Sequence, residues 1–444
     1  MANIYPINGA PYECEFKLKD EKGEVKADFT KSAVKVLDLS ENFLEPFTNG
    51  IIVINNPYDF IEDSLLTRGD GRDKFSFSLK AKDATSPNAK LQYDFVLNEE
   101  NNSVSKIDRA GNYKAYSLLD ENYFKLNEKI PYGKRYRGPI GDIIKSILKE
   151  VISEDIVDEE NFEPGDNVID IFPEHIIPSD SFRYTDLIKY LLQINYKKEK
   201  GLNVRLFLKF DRTNKKYTLQ TLSKIFQENK DNVIEGFAAN DLVDKINSNK
   251  NNPPPDADVN PYLTQLPQTN LTTPMLNYSN EFFMNYKAVG FDQILGEHNI
   301  QEKRIKDIKK LWVKNFVDVF KCEGGKPKPF LPLNKQKKEN LFRTISTPFS
   351  VEKSANIAEA EMSSNLIFYN LCLSINVLGD TKRDAGKFID IYRTAKQVNS
   401  DKKLLGRWLV TKNRHRFFGD TYNNYIECVK TYVGPDANID DDID

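Results

Sequence analysis

The sequence predicts a mainly β protein with α-containing insertions. Short runs of alternating apolar and polar residues recur along most of the chain, and Gly, Pro, Asn and Asp separate them. The 21 Tyr and 28 Phe favour strands. A length of 444 residues allows about three domains. With no apolar run long enough to span a bilayer and no secretory signal, we expect no membrane anchor and folding in the cytoplasm.

The N-terminal region, residues 12–124, is predicted to be a β domain. Residues 58–66 are compatible with a short helix inside it. The remaining alternating runs number about six, and such short strands between close turns predict a barrel or a sandwich. These runs are residues 14–19, 33–39, 50–55, 74–80, 91–97 and 112–119.

Helical periodicity replaces this alternation in residues 127–200. A first helix is predicted with Pro139 at its first position, and its apolar residues recur with helical spacing. These are Ile140, Ile143, Ile144, Ile147, Leu148 and Val151. An acidic loop is expected at 153–170. A second helix follows, with Ser181 or Thr185 as its N-cap. Its apolar face is Leu187, Tyr190, Leu191 and Ile194.

The middle of the chain changes character several times. Residues 203–222 alternate around a turn and predict a hairpin, and 286–291 predict a further strand. Asn, Pro and Thr dominate 247–273, which contain the triple proline 253–255. They predict an extended linker or arm. Near-helical spacing at 305–320 leaves the structure there open, whereas 354–364 predict a helix leading into the C-terminal strands.

Two hairpins are predicted in the C-terminal block, residues 366–433. The first joins strands at 366–377 and 387–391 through the turn 379–386. The second joins strands at 405–417 and 421–430, the latter after the turn Gly419–Asp420. Together they supply four antiparallel strands.

Charge and cysteine content exclude several function classes. The formal net charge of −3 gives no general indication of nucleic-acid binding. Residues 301–340 are locally basic, with twelve Lys/Arg against five Asp/Glu, and residues 436–444 form an acidic tail. The four cysteines are isolated, which argues against a zinc site and against a disulfide framework. They are Cys14, Cys322, Cys372 and Cys428.

No catalytic, cofactor-binding or metal-binding residues are predicted, and no cofactor. His175, His298 and His415 are far apart, and no nucleophile elbow or phosphate-binding loop occurs. The loop 69–73 lacks the downstream Glu of a calcium site. Acidic pairs such as Asp155 and Glu159 are too common in a chain this charged to indicate a glycosidase. We expect His415 to have a structural hydrogen-bonding role and Trp408 to pack in the core.

Four stretches resemble one family, the central hub proteins of contractile-tail phage baseplates, as in T-even phages. They are residues 138–148, 178–191, the hairpin 203–222, and 405–410 together with His415 and Phe417. The resemblance spans about residues 10–433, and it rests on the order of these four stretches along the chain. No counterpart is evident for 247–350.

The resemblance implies two tail-tube-like antiparallel β-barrels with peripheral domains. The first barrel would be residues 1–126, and the second would be split between 201–241 and 366–435. An α-containing insert at 127–200, a peripheral domain at 242–365 with the Pro-rich arm, and the acidic tail complete the chain. Such a hub is a non-enzymatic homotrimer. Its pseudo-hexameric ring adapts the hexameric tail tube to the trimeric central spike.

The same resemblance implies the partners and the location. We expect a trimeric spike protein, a tail tube protein or tube initiator, and baseplate wedge proteins, with genome DNA passing through the lumen without specific binding. The protein would assemble in the bacterial host cytoplasm and act in the virion tail baseplate. Three alternatives are a hub component of a type VI-like or extracellular contractile injection system, a tail-associated carbohydrate-binding or lytic protein, and nucleic-acid binding through 301–340.

Overall fold

The chain divides into two compact units. Unit 1 comprises residues 1–128, 375–385 and 412–426, and unit 2 comprises 129–374, 386–411 and 427–444. The structure is a computed structural model, and all that follows concerns the residues that it describes. These are 12–20, 23–29, 31–55, 74–81, 90–99, 113–173, 182–199, 201–229, 233–239, 269–272, 285–290, 296–300, 328–329, 342–346, 351–368, 371–393, 406–418, 421–430 and 432–433.

The strands and helices of the described residues are as follows, in chain order. The N-terminal part holds β1 (Tyr12–Lys19), β2 (Val25–Phe29), β3 (Val34–Asn42), β4 (Glu45–Asn55), β5 (Lys74–Ala81), β6 (Lys90–Glu99), β7 (Tyr113–Asp120) and α1 (Glu121–Glu128). The central part holds β8 (Tyr136–Pro139), α2 (Ile140–Val151), β9 (Val157–Phe162), β10 (Val168–Ile171), α3 (Tyr184–Ile194), β11 (Tyr196–Glu199), β12 (Leu202–Asp211), β13 (Lys216–Thr221), α4 (Leu222–Asn229), β14 (Val233–Ala239), β15 (Thr269–Thr272), β16 (Asn285–Gly290), β17 (Gly296–Ile300), β18 (Lys328–Pro329), β19 (Phe342–Ser346) and α5 (Val351–Phe368). The C-terminal part holds β20 (Leu371–Leu378), β21 (Phe388–Arg393), β22 (Gly406–Phe418), β23 (Thr421–Lys430) and β24 (Tyr432–Val433).

Unit 1 is built on one long row of strands. Their order is β20–β23–β22–β3–β4–β7–β6–β5–β1–β2, and the pairs from β22 onward are antiparallel. Six predicted N-terminal strands are present as β1 and β3–β7, and β5 pairs with β6 as expected. Because side chains alternate between the two faces of a strand, every second residue of these runs enters the core. The mainly β fold class is confirmed.

Aromatic rings form much of the core of unit 1. Phe77 is almost fully buried, and its ring centroid lies 5.7 Å from that of Tyr93 and 6.1 Å from that of Phe95. Phe16 lies on the neighbouring strand, with its ring centroid 6.4 Å from that of Phe77. Offset ring pairs at these distances add to the stabilisation from buried area alone. The abundance of Phe in the sequence is thus explained in part by cross-strand stacking.

In unit 2, both predicted helices of residues 127–200 are confirmed as α2 and α3. All six apolar residues predicted for one face of α2 are buried. Pro139 takes the N-cap position, one residue before the predicted place. The predicted cap of α3 is wrong. Arg183 is the N-cap residue, and its N–H donates to the Asp186 carboxylate at 3.0 Å. Thr185 lies inside the helix and is buried.

Gly141 allows the start of α2 to lie against the backbone of residues 163–164. Its N–H donates to the Pro164 carbonyl at 2.7 Å, and a Cβ at this position would lie 2.3 Å from the carbonyl oxygen of Glu163. This contact is with backbone atoms, which cannot turn aside as a side-chain end can. The close approach of the backbone of residues 163–164 therefore requires a glycine at this position in the first turn of α2.

We expect Gly141→Ala to destabilise the protein by about 1–3 kcal/mol through overpacking, although alanine favours helices over glycine. Urea unfolding of the full chain measures this free energy. Ser146→Ala, on the exposed side of the same helix, is the control and should be neutral or stabilising by about 0.5 kcal/mol. Equal, stabilising effects of both substitutions would contradict the prediction.

The hairpin at residues 203–222 forms as β12 and β13, but its neighbours are not those predicted. It pairs with β11 and β9 in a four-stranded sheet of unit 2, rather than with the C-terminal block. β9 and β10 also occupy much of the predicted acidic loop. Alternation shows which face of a strand is buried but not which strand is its neighbour, so the pairing was wrongly assigned. The two-barrel division stays a prediction.

The C-terminal block also differs from its prediction. Residues 366–368 end α5, which extends the predicted helix 354–364 in both directions. The first predicted hairpin is wrong, because β20 lies beside β23, while β21 pairs in parallel with β14 and antiparallel with β22. The second hairpin is confirmed as β22 and β23. In unit 2, α5 packs on β12 and β16, and β16 confirms the strand predicted at 286–291.

Several predictions fall outside the described residues. These are the helix at 58–66, the loop 69–73, the triple proline 253–255, residues 305–320, the acidic tail 436–444, and His175 and Cys322. None of the described helices combines the length and apolar character needed to cross a membrane.

Candidate functional site

The feature of unit 1 that core packing alone does not explain is a cluster of buried polar side chains on the hairpin β22–β23 and its surroundings. Asn413, His415 and Asn424 are each 0% exposed. Buried polar groups are costly unless their hydrogen bonds are satisfied, so such a cluster specifies one arrangement of the chain. The polar cluster comprises Glu41, Tyr93, Arg383, Asn413, His415, Tyr422 and Asn424.

Strand alternation places these residues inside. On β22, Asn413, His415 and Phe417 are buried, whereas Arg414 and Arg416 lie on the other face. His415 is opposite Leu39 of β3 in the register. Tyr422 and Asn424 are likewise buried at alternate positions of β23. The hairpin therefore carries polar residues at positions where the strand pattern calls for apolar ones.

The imidazole of His415 contacts three of these side chains. Its Nε2 lies 3.0 Å from Nδ2 of Asn413, and its Nδ1 lies 2.7 Å from the hydroxyl of Tyr422 and 3.0 Å from Nδ2 of Asn424. The rings of Tyr422 and Phe417 stack with centroids 4.2 Å apart. His415 is thus part of a hydrogen-bonded network, as the sequence led us to expect.

A buried loop lies on the same network. Residues 379–385, here called the Arg383 loop, were predicted to be a simple turn, yet Thr381, Arg383 and Ala385 are only 3–4% exposed. The Gly379 N–H donates to the Tyr422 carbonyl at 2.8 Å. At Gly379, a Cβ would lie 2.2 Å from the Tyr422 ring. The loop therefore packs directly against β23.

Two asparagine amides bind the Arg383 loop. Oδ1 of Asn424 accepts hydrogen bonds from the Asp380 N–H at 2.7 Å and from the Arg383 guanidinium at 2.8 Å. Nδ2 of Asn413 donates to the Arg383 carbonyl at 3.0 Å. Each asparagine thus contacts the loop on one side and the His415 ring on the other.

Glu41 of β3 contributes a buried carboxylate to the cluster. It accepts a short hydrogen bond from the Tyr93 hydroxyl, and its Oε2 lies 3.6 Å from Nε2 of His415. A carboxylate in this place would compensate a positive charge on the imidazole. The cluster therefore holds a potential ion pair as well as neutral hydrogen bonds.

The opposite face of β22 is open to solvent. Arg414 forms a bidentate ion pair with Asp38, and the Arg416 guanidinium lies 6.0 Å from the centre of the Tyr425 ring. Phe418 is 53% exposed, and Ile51 on the same face is 42% exposed. Val36 and Val53 connect them in the strand register. This apolar surface, Phe418–Val36–Val53–Ile51, is a candidate contact surface.

The remaining residues singled out from the sequence do not join the cluster. Trp408 is fully buried, and His298 lies on β17 in unit 2. Cys428 is a buried thiol, and Cys14 is partly buried. Among the described residues, no three His, Cys, Asp or Glu side chains are grouped closely enough to hold a metal ion. Sequence reasoning missed Glu41, Tyr93, Arg383, Asn413 and Asn424. For the four on strands the signal was polarity at inward positions, whereas Arg383 lies in a loop and gave no such signal.

Comparison with known proteins gives a clear result for the fold. No family model matches the sequence, and no curated protein matches it. The structure is similar to the tail protein from Neisseria meningitidis MC58, with a TM-score of 0.53 and 10% identity, over 95% of this chain and 97% of that one. This chain shares the fold of that tail protein.

Two further similarities are weaker. The 43 kDa tail protein of prophage MuSo2 from Shewanella oneidensis gives a TM-score of 0.49 at 9% identity, over 95% of this chain and 98% of that one. The prophage tail protein gp18 from Listeria monocytogenes EGD-e gives 0.45 at 10% identity, over 94% of each chain.

Proposed function

We propose that this protein is the structural hub of a contractile phage-tail baseplate. In this role it is a homotrimer whose pseudo-hexameric ring adapts the hexameric tail tube to the trimeric central spike. The observation that carries the proposal is the shared fold with a tail protein over nearly the full length of both chains. The order of hub-like stretches along the sequence supports the same role.

The surface of unit 1 suits subunit assembly. The apolar surface Phe418–Val36–Val53–Ile51 lies on the solvent face of a strongly paired sheet. Exposed apolar side chains that lie next to one another mark contact sites more often than isolated exposed apolar residues do. Their burial against a neighbouring subunit would contribute to the stability of a ring.

The proposed role is mechanical and involves no catalysis. The hub would bind the trimeric spike on one side and a tube protein or tube initiator on the other, with baseplate wedge proteins around it. DNA would pass through the lumen without specific binding. The protein would act in the virion tail after assembly in the host cytoplasm.

Native mass spectrometry of the full chain at micromolar concentration tests the proposal. We expect a species of three times the 51.1 kDa chain mass, with ring-shaped particles in electron micrographs. Only monomers, with and without coexpressed spike and tube proteins, would overturn the trimeric hub. Cleavage of peptidoglycan by the purified chain would instead support a lytic tail protein.

The proposed contact surface is tested by charge substitution. We expect Phe418→Glu to shift the trimer toward monomer by at least about tenfold in the dissociation constant, because a charge would be buried in an apolar contact. Val25→Glu is the control, since Val25 is equally exposed but lies on β2 at the other end of the strand order. Equal effects of both substitutions would show that this surface does not form the contact.

A further inference from the structure

The tip of the β3–β4 hairpin, residues 42–45, presents an apolar and an acidic side chain to solvent. Leu44 is 49% exposed, and Glu45 beside it is also exposed. Phe43 is buried and anchors the turn, while the Leu44 N–H donates to Oδ1 of Asn42 at 3.0 Å. Such a hydrogen bond from the backbone to an asparagine side chain fixes the turn. The hairpin tip therefore holds Leu44 and Glu45 in place at the surface of unit 1.

The apolar surface Phe418–Val36–Val53–Ile51 has a positive charge at its border. Arg416 lies on the same face of β22 as Phe418, with its guanidinium 6.0 Å from the centre of the Tyr425 ring. Asp38 is opposite Arg416 in the strand register but forms its ion pair with Arg414. Within the described part of the chain, no carboxylate forms an ion pair with Arg416. The surface thus combines exposed apolar side chains with a guanidinium available for a carboxylate.

The hairpin tip has the complementary chemistry. In the described part of unit 1, the exposed large apolar side chains are Val25, Leu44, Ile51 and Phe418. Ile51 and Phe418 belong to the apolar surface. Val25 lies within strand β2, whereas Leu44 lies on a two-residue turn beyond the end of its strands, where it can reach the face of another sheet. None of the described Lys or Arg side chains forms an ion pair with Glu45.

The hairpin tip and the apolar surface lie at opposite ends of β3. Asn42 at the tip is six residues from Val36, which corresponds to about 20 Å along a strand. The tip of one copy therefore cannot cover the surface of the same copy. A contact between the tip of one copy and the surface of another is head-to-tail, and repeated head-to-tail contacts close into a ring when their rotation allows it.

We propose that the hairpin tip of one copy docks on the apolar surface of the next copy, with Leu44 against Phe418 and Glu45 paired with Arg416. The inference rests on the proposed ring of identical subunits and names the parts that meet. One contact removes exposed apolar area from water and gives both charges a partner. Arginine and tyrosine, here Arg416 beside Tyr425, are enriched among the residues that contribute most to binding at protein interfaces.

A charge exchange tests this pairing in the full chain. Arg416→Glu and Glu45→Arg each place like charges against one another, so each should raise the dissociation constant of the trimer at least about tenfold. In the double variant the charges are opposite again, and we expect the dissociation constant to return to within about threefold of the wild type. Native mass spectrometry over a concentration series measures these constants.

Glu24→Arg is the matched control, because Glu24 is an exposed carboxylate beside the exposed Val25 at the other end of the strand order. Combined with Arg416→Glu, it should not restore the trimer. Arg416→Glu also adds a carboxylate beside Asp38, so urea unfolding of each variant separates misfolding from lost assembly. Leu44→Glu leaves the sheet unchanged and should weaken the trimer at least about tenfold, because its charge meets an apolar surface.

The outcomes separate this contact from the hub itself. If the wild type forms trimers that Phe418→Glu weakens, but the charge exchange gives no rescue or Glu24→Arg rescues equally, the hairpin tip is not the partner and the trimeric hub stands. Wild-type trimers that Leu44→Glu leaves unchanged would also overturn the docking of the tip. A wild type that stays monomeric with and without spike and tube proteins overturns the hub, and the contact with it.

Discussion

Replacement of Asn424 by leucine is expected to lower the free energy of unfolding by about 3–5 kcal/mol. Leucine is apolar and of similar size, but it cannot accept the hydrogen bonds from the Asp380 N–H and the Arg383 guanidinium. Both donors would lose that acceptor, and the Arg383 guanidinium is both buried and charged. The loss should therefore exceed that of an ordinary neutral hydrogen bond.

Asn423→Leu is the matched control for this substitution. Asn423 is the preceding residue of β23, and its side chain lies half-buried on the opposite face of the strand. We expect a change within about 0.5 kcal/mol, because surface substitutions away from such networks have small effects. Urea unfolding of both variants measures the difference. Similar losses at the two positions would mean that the amide of Asn424 has no special role.

The second large effect is expected at Asp120, the last residue of β7. Its Oδ1 accepts hydrogen bonds from the backbone N–H groups of Asn122 and Tyr123, at 2.8 and 3.2 Å, and thereby caps α1. Burial of the carboxyl group nevertheless raises its pKa from the usual 3.8 to about 6, because desolvation outweighs these hydrogen bonds. The folded protein thus holds this proton more tightly than the unfolded chain does.

The sign of the pH dependence follows from this difference. Between about pH 4 and pH 6 the unfolded chain releases the proton first, so the contribution of Asp120 to stability falls as pH rises through this window. The total loss is about 3 kcal/mol at 1.4 kcal/mol per pH unit. Asp120→Asn keeps the capping oxygen and removes the titration. We expect it to match the wild type near pH 4 and to be more stable by up to about 3 kcal/mol near pH 8.

Thermal or urea unfolding of wild type and variant across this pH range tests the prediction, because all other titrating groups cancel in the comparison. Asp120→Ala is the control for capping and should lose about 1 kcal/mol relative to Asp120→Asn at every pH. A stability difference between wild type and Asp120→Asn that does not vary with pH would contradict the raised pKa.

Local patterns in the sequence correctly predicted those helices and strands whose buried faces follow from a regular spacing of apolar residues. The apolar spacing from Ile140 to Val151 predicted α2 with its buried face, and the alternation around residues 74–97 predicted the β5–β6 pair. These elements follow from periodicity, which depends only on positions a few residues apart. The N-cap of α3 was missed because Arg183 is an unusual N-cap residue. The carboxylate of Asp186 accepts the hydrogen bond from the Arg183 backbone N–H.

Pairing between distant segments could not be read in the same way. β12 and β13 have the alternation of any half-buried hairpin, and nothing in it distinguishes β9 as a partner from the C-terminal strands. The polar cluster was hidden for a related reason. Asn413 and Asn424 lie at inward positions, but their polarity is informative only once the Arg383 loop and Glu41 are known to lie beside them.

The sequence by itself determined the mainly β class and many of the strand and helix positions, because these depend on local periodicity and on residue type. The tertiary structure alone decided which strands are neighbours, that the turn at residues 379–386 is largely a buried loop, and that His415 lies between two amides and a carboxylate. These features depend on contacts between residues far apart in the chain, and the free energy of burying polar groups is determined only when their partners are in place.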